Sequence, residues 1–310
     1  MIVTVTLNPA IDKRIIADKI TLGETNKCIL EKTEIAGKGI NVSKTVVALG
    51  FDSVATGFIC GRHAGIFADY LKRQCVLCDL TPIAGEIRTN VKLTEKTTGR
   101  ETEINENGPV VTEAETRNFL KNVRKYFNRE DILCVSGSLP GGVAPLFYKE
   151  LILSAKESGM RVLFDSSEEA FRVGVQAAPY AIKPNMYEME TFFNEKIHTN
   201  EEIKEKAAYF IRLGTEIVAL SMGKDGACFV TKEKALHAKL TRKFPIRTTV
   251  GAGDALNAAL AAAVFDEMNL VDTARFCIAA ASASISEDGI NSGRPESVYK
   301  YMEFIEIEEF

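Results

Sequence analysis

The chain has 310 residues, 46% hydrophobic and 26% charged, a balance that suits a folded protein with a sizeable core and excludes an extended disordered chain. A formal net charge of −4 provides no overall basic field for nucleic acid or anionic lipid, so any anion site must be a local pocket. No run approaches roughly 18 consecutive apolar residues, and seven scattered cysteines suit a reducing compartment better than a disulfide framework, so a soluble cytoplasmic protein is expected.

Residues 2–7 read as a first apolar strand, with no basic leader, that meets Asn8-Pro9. The stretch 12–35 is polar and β-leaning; a helix then runs from Gly39 to the stop at Gly50, followed by a strand at 53–59. A second polar, β-leaning stretch covers 86–105, including Asn90-Val91-Lys92-Leu93-Thr94 and the turn Thr97-Thr98-Gly99-Arg100. Helices are expected at 113–126, 145–158, 200–213 and 254–268, and core strands at 132–136, 161–165, 180–183 and 216–221. A helical stretch near 295–301 leads to an acidic tail, 303–310, read as a structural end piece.

This alternation predicts an α/β fold: a doubly wound, mostly parallel sheet with helices on both faces, in one domain over 1–310. The two stretches that break the alternation need a sheet of their own. They are read as a small β lid over one end of the main sheet, its exposed face covered by substrate or a second subunit.

Glycine-rich loops follow several of the strands. Thr248-Thr249-Val250-Gly251-Ala252-Gly253-Asp254 opens a helix, where successive N–H groups and the helix dipole favour an anion. A carboxylate there would repel a phosphate unless it takes a proton from an attacking hydroxyl; the bland alternative is that Asp254 only caps the helix. Ala36-Gly37-Lys38-Gly39-Ile40-Asn41 is a second small nest, and Asp12, just past Asn8-Pro9, can accept hydrogen bonds from sugar hydroxyls. Lys27, Lys38 and Arg88 lie in or beside the lid stretches and would have to converge to bind an anionic substrate. In Lys183-Pro184-Asn185-Met186-Tyr187-Glu188, Asn185 and Glu188 stand one helical turn apart, suited either to a water-rich Mg²⁺ or to a capping box. Ser136-Gly137-Ser138-Leu139-Pro140 and Ser221-Met222-Gly223-Lys224-Asp225-Gly226 close two further strands, the latter as nucleotide loop or plain turn. Neither a P-loop nor GxGxxG is present, which counts against a Rossmann-type oxidoreductase. Cys75 and Cys78 form a lone CxxC pair without a partner pair or neighbouring histidines, so thiols without metal are expected there.

Taken in order, these motifs resemble the ribokinase-like (PfkB) carbohydrate kinases, and specifically their phosphosugar branch, over essentially the full chain. The resemblance implies ATP-dependent phosphorylation of a ketohexose phosphate. The lid run Gly85-Glu86-Ile87-Arg88-Thr89-Asn90-Val91-Lys92-Leu93 is similar to enzymes acting on fructose 1-phosphate, with tagatose 6-phosphate and then fructose 6-phosphate as alternatives. It implies Asp254 as catalytic base and the amides of Gly251, Ala252, Gly253 and Asp254 as the hole for the migrating phosphoryl group. Asp12, Gly37, Lys38, Gly39, Asn41, Arg88 and Ser136 would hold the sugar phosphate, with Lys27 reaching in from the lid. Lys183, Asn185, Ser221, Gly223, Gly226, Thr249, Gly251 and Gly253 would face the nucleotide, and Glu188 with Asn185 would hold Mg²⁺, partly through water. A monovalent cation is a further candidate cofactor, and lid pairing would give a homodimer; neither nucleic acid nor membrane is an expected partner. Ala36, Asn257 and Ala259 depart from the family pattern, the last two with an expected effect on packing alone. A non-catalytic sugar-phosphate sensor would not need Asp254 with a complete anion nest.

Overall fold

The computed structural model describes residues 1–61, 64–242, 244–246, 251–286 and 294–310. In chain order, β1 (Ile2–Thr6) leads into the strands β2 (Ala10–Ala17) and β3 (Cys28–Ala36), then α1 (Lys38–Ala48), β4 (Ser53–Cys60), α2 (Ala64–Arg73) and β5 (Leu77–Ile83). Next come β6 (Arg88–Glu95), β7 (Glu101–Asn105), α3 (Glu113–Val123), β8 (Ile132–Ser136), α4 (Leu146–Glu157), β9 (Arg161–Asp165) and α5 (Glu168–Gly174). The remainder comprises β10 (Ala181–Ile182), α6 (Met186–Phe193), α7 (Asn200–Leu213), β11 (Ile217–Ser221), β12 (Ala227–Val230), β13 (Ala235–Leu240), α8 (Ala252–Phe265), α9 (Leu270–Ser286), α10 (Pro295–Met302) and β14 (Ile305–Glu309).

The main sheet runs β14-β13-β12-β11-β10-β9-β8-β1-β4-β5, parallel from β11 to β5 and antiparallel from β11 to β14. Its central strands β1 and β8 are buried along their whole length, as apolar runs covered on both faces should be. One face packs on α2 to α7, with Phe164, Phe171 and Phe210 at its centre. The other packs on α1, α8, α9 and α10. There α8 is alanine-rich and buried from Ala255 to Val264, and small side chains let its neighbours approach on every side. This is the doubly wound α/β architecture expected from the alternation.

Five elements had no sequence expectation: β5, α2, α5, α9 and β13. The tail 303–310 is not a mere end piece, because β14 pairs with β13 from Leu236↔Glu309 to Leu240↔Ile305 and forms the sheet's edge. Its exposed glutamates keep that edge charged.

The second sheet has the order β3-β2-β6-β7 and is built from the two polar stretches. Its β2 begins at Ala10, with only three residues between it and the end of β1, and Ala10 pairs with both Ala36 and Arg88. The root of this lid is therefore fixed beside the carboxyl ends of β1 and β8. Its tip, where Ala17 pairs with Cys28, lies roughly 23 Å away at ordinary strand rise.

Candidate active site

The loops that follow the parallel strands meet the amino-terminal ends of α1 and α8. Gly39 permits this approach, since a Cβ there would lie 2.5 Å from both Val5 O and Thr6 Oγ1. Gly37 adopts a left-handed φ of 139°, and its neighbour Lys38 opens α1. Gly251 caps α8 at φ 91°, placing Ala252, Gly253 and Asp254 in the first turn. Thr249, with Thr248 and Val250, lies outside the described residues.

Asp254 does not point into empty core. Its Oδ2 accepts a hydrogen bond from Asn41 Nδ2 at 2.8 Å, which joins α8 to α1. Burial pushes its carboxyl above the usual range; the Asn41 hydrogen bond and the charges of Lys38 and Lys183 oppose that shift, while Asp165 adds to it. A carboxylate so placed is a stronger base than an exposed one.

Asp165, at the end of β9, organises the cations around it. It is 1% exposed, and lies 3.1 Å from Lys38 Nζ and 3.2 Å from Lys183 Nζ. The Lys183 contact has ion-pair distance without hydrogen-bond alignment, so Oδ2 keeps an unused lone pair. Burial would raise this carboxyl, yet the ammonium groups of Lys183 and Lys38 outweigh it and hold it below the usual range. The same carboxylate is the main cause that raises Lys38 above its usual value. Lys183 Nζ lies 3.6 Å from where a Cβ on Gly253 would sit, so its charge rests over the first turn of α8.

Asn185 and Glu188 form a full capping box on α6: Asn185 Oδ1 accepts from Glu188 N at 2.8 Å and Glu188 Oε2 accepts from Asn185 N at 2.9 Å. The capping reading thus holds for the contacts in hand, and Glu188 Oε1 remains outside the box. Burial raises the Glu188 carboxyl. Among the described residues no group of three or more His, Cys, Asp or Glu side chains could grip a metal alone. The chemistry of these donors suits a water-rich Mg²⁺ carried largely by substrate phosphates, for which Glu188 Oε1, the carboxylate oxygen left outside the cap, would be the free ligand.

A cavity of about 130 Å³ opens between lid root and sheet, lined by Thr6, Asn8, Lys38, Arg88, Ser136, Gly137, Ser138 and Ser167. Arg88 donates to Asn8 O at 3.0 Å, and its buried Nε has no partner. Asp12 is on the lid, its carboxylate bound by Asn90 Nδ2 at 2.9 Å and Lys92 Nζ at 2.7 Å. Lys27 does not converge with these groups. It is exposed at the lid's tip, beside Cys28, and too far along the β2–β3 hairpin for a lysine side chain to reach the cavity of its own chain.

The Ser221 loop is held by Ser221 N donating to Pro184 O at 3.0 Å. Gly226 is required there, since a Cβ would lie 2.1 Å from Ala238 O, whereas Gly223 has open space around it. A second cavity of about 260 Å³ adjoins this loop, with Met186, His198, Asn200, Met222 and Asp225 among its walls. Cys75 is exposed and Cys78 half-buried on β5, with the Cys78 thiol raised by burial and the neighbouring Asp79.

Asp165 is a site residue that the sequence alone does not single out, because a strand-end Asp carries no signal of the two lysines that fold onto it. Sequence reasoning also missed Lys44, which sits half-buried one turn after Asn41, 5.6 Å from the Tyr70 ring centre, with its ammonium lowered by burial. Asn257 was expected to affect packing alone, but its Nδ2 donates to Ser136 Oγ at 3.1 Å.

A base, paired lysines and a cationic cavity at one sheet edge can deprotonate a hydroxyl while holding anions on either side of it. The model of the pfkB family of carbohydrate kinases matches residues 5–297. The 1-phosphofructokinase of Vibrio cholerae is 31% identical over 306 residues, covering 99% of this chain and 96% of its own. That of Escherichia coli K12 is 32% identical over 296 residues, covering 95% and 94%. Among solved structures, phosphofructokinase-2 from Escherichia coli in complex with potassium superposes with TM-score 0.91 at 26% identity, covering 98% of each chain. The same protein in complex with fructose-6-phosphate superposes with TM-score 0.88 at 25% identity, again over 98% of each chain.

Proposed function

Because the chain belongs to the pfkB family of carbohydrate kinases, we propose that it transfers the γ-phosphoryl group of ATP to the C6 hydroxyl of fructose 1-phosphate, giving fructose 1,6-bisphosphate. The observation that carries this reading is Asp254, a half-buried carboxylate held by Asn41 at the amino-terminal end of α8, with Lys38 and Lys183 close enough to act on its charge. The acceptor is inferred from the relatives in Vibrio cholerae and Escherichia coli.

On this reading Lys38, Arg88 and Ser136, which line the small cavity, take the sugar's phosphate, and Asp12 and Asn41 are assigned to its hydroxyls. Asp254 accepts the C6 hydroxyl proton as that oxygen attacks the γ-phosphorus in line, and ADP departs with the bridging oxygen. The amides of Gly251, Ala252, Gly253 and Asp254, with Lys183 above them, stabilise charge on the migrating group. Glu188 and Asn185 would hold Mg²⁺, partly through water, and the ion would supply further neutralisation of phosphate charge. Ser221, Gly223 and Gly226 shape the nucleotide's loop.

ADP production with Mg²⁺ and fructose 1-phosphate, tagatose 6-phosphate, fructose 6-phosphate, ribose and adenosine, ranked by kcat/KM, tests the proposal. Fructose 1-phosphate should lead; preference for an unphosphorylated acceptor would overturn it. A monovalent cation is proposed as accessory, supported by the potassium complex of phosphofructokinase-2, and replacing K⁺ by choline should lower the rate.

A homodimer through the lid is also proposed. Strand register sets Ile15, Leu30 and Leu93 side by side, with Val91 and Ile104 in the next row of the same face. Leu30 is 57% and Ile104 59% exposed, an apolar face that a second copy would cover. Leu30→Glu should shift the mass measured by light scattering to that of one chain. Seven free cysteines are compatible with a reducing compartment, and no described helix is long and apolar enough to cross a membrane.

A further inference from the structure

Behind Ser136 lies a buried side chain to which the proposed reaction gives no part. Asn257 stands on α8 three residues after Asp254, so both project from one side of the helix, a turn apart. It is 1% exposed, its Nδ2 donates to Ser136 Oγ at 3.1 Å, and its Oδ1 is buried without a partner. Leu256, Ala258 and Ala259 around it are buried and apolar, so packing alone asks for no amide. An apolar side chain would remove an unmet carbonyl and the penalty that goes with it.

The Ser136 hydroxyl has one proton and two lone pairs. Asn257 takes a lone pair, and no described residue accepts the proton. Ser136 lines the cavity shared with Lys38 and Arg88, whose charges call for an anion. Turning the amide over would make Ser136 donate backwards and present lone pairs to that anion, so the cationic lining selects the orientation in which Nδ2 is the donor.

We propose that Asn257 is a positioning residue: it holds Ser136 as a hydrogen-bond donor toward the acceptor's phosphate. By tying α8 to the end of β8, it also sets the spacing between that phosphate and the hydroxyl facing Asp254. The inference rests on the functional reading above and adds a specificity element to the same site.

The test compares Asn257→Val, Ser136→Ala and the double variant by calorimetric affinity for fructose 1-phosphate without nucleotide, and by steady-state kinetics. Asn257→Val should weaken binding and raise KM for the sugar phosphate about fivefold, the size of one net hydrogen bond, with kcat and KM for ATP within about twofold. It should melt no lower than the parent protein and have no further effect once Ser136 is alanine. Asn257→Thr, which keeps a hydroxyl donor in the volume of valine, should recover most of the affinity; Asn257→Ala replaces the valine variant if that does not fold. Unchanged sugar-phosphate affinity, a loss that persists undiminished beside Ser136→Ala, or an equal loss in KM for ATP would overturn the proposal. If the parent protein neither binds nor phosphorylates fructose 1-phosphate, the functional reading fails. The positioning role is then read with inorganic phosphate, and equal phosphate affinity in parent and variants would refute it.

Discussion

Replacing Asp165 by asparagine keeps the side-chain shape and removes the charge that joins Lys38 to Lys183. Lys183 is 5% exposed, so losing its partner leaves a buried ammonium uncompensated, a change that costs about 3 to 5 kcal/mol. The Lys38 side chain is 40% exposed and water takes over much of its pairing, so it adds little. An unfolding entropy of about 2.1 cal/mol/K per residue over the chain turns that loss into a melting point lower by about 5 to 8 °C. Thermal denaturation followed by circular dichroism at several pH values is the assay. Because the folded carboxyl lies below its usual range, its stabilisation is complete above the ordinary carboxylate pKa and fades as pH falls through the depressed value. The gap between parent and variant should thus hold from neutral pH to about pH 5 and close only in stronger acid. Adding Lys183→Met should recover part of the loss. A variant melting within about 1 °C of the parent at neutral pH would refute the reasoning, since a buried unpaired ammonium cannot be that cheap.

Asp254→Asn should lower kcat by about 10² to 10⁴ with KM for ATP nearly unchanged, read by coupled ADP release. As the base must be ionised and burial raises its carboxyl, kcat/KM of the parent enzyme should climb with pH along a limb displaced above the ordinary aspartate value of about 4; a flat profile down to that pH would contradict the assignment. Gly39→Ala must push α1 off Val5 O, and should cost about 1 to 3 kcal/mol in denaturant melts while lowering kcat through the shifted Asn41. Lys38→Met and Arg88→Met should each raise KM for the sugar phosphate by the equivalent of about 1.5 to 3 kcal/mol, with KM for ATP moved less by Arg88→Met.

The buried parallel strands were readable because both faces are covered and their apolar runs are unbroken. The helix starts at Lys38, Met186 and Ala252 were readable to within two residues, against expected starts at Gly39 and Asp254 for the first and last, because glycine, proline and asparagine mark them. β14 was not, because Ile305-Glu306-Ile307-Glu308 alternates with period two yet its acidity suggested a solvated tail. α9 was missed because its alanines and serines carry little periodic contrast. Within the site, loop order along the chain placed Lys38, Asn41, Arg88, Lys183 and Asp254 at one sheet edge. Lys27 was misjudged because its distance depends on the length and register of the β2–β3 hairpin. The Asn257–Ser136 and Asp165–lysine contacts join residues more than a hundred positions apart or on separate strands, and no local pattern announces them.

The alanine-lined seat of α8 has a practical corollary for anyone wishing to alter what this enzyme phosphorylates. With methyl groups touching neighbours all round, the helix has no slack through which to tilt, and a bulkier residue at Ala259 or Ala262 would dislodge the base instead of retuning it. Evolution or engineering of acceptor choice is thereby steered to the rim, where lid strands and the β8 loop can change length or charge without disturbing the machinery beneath.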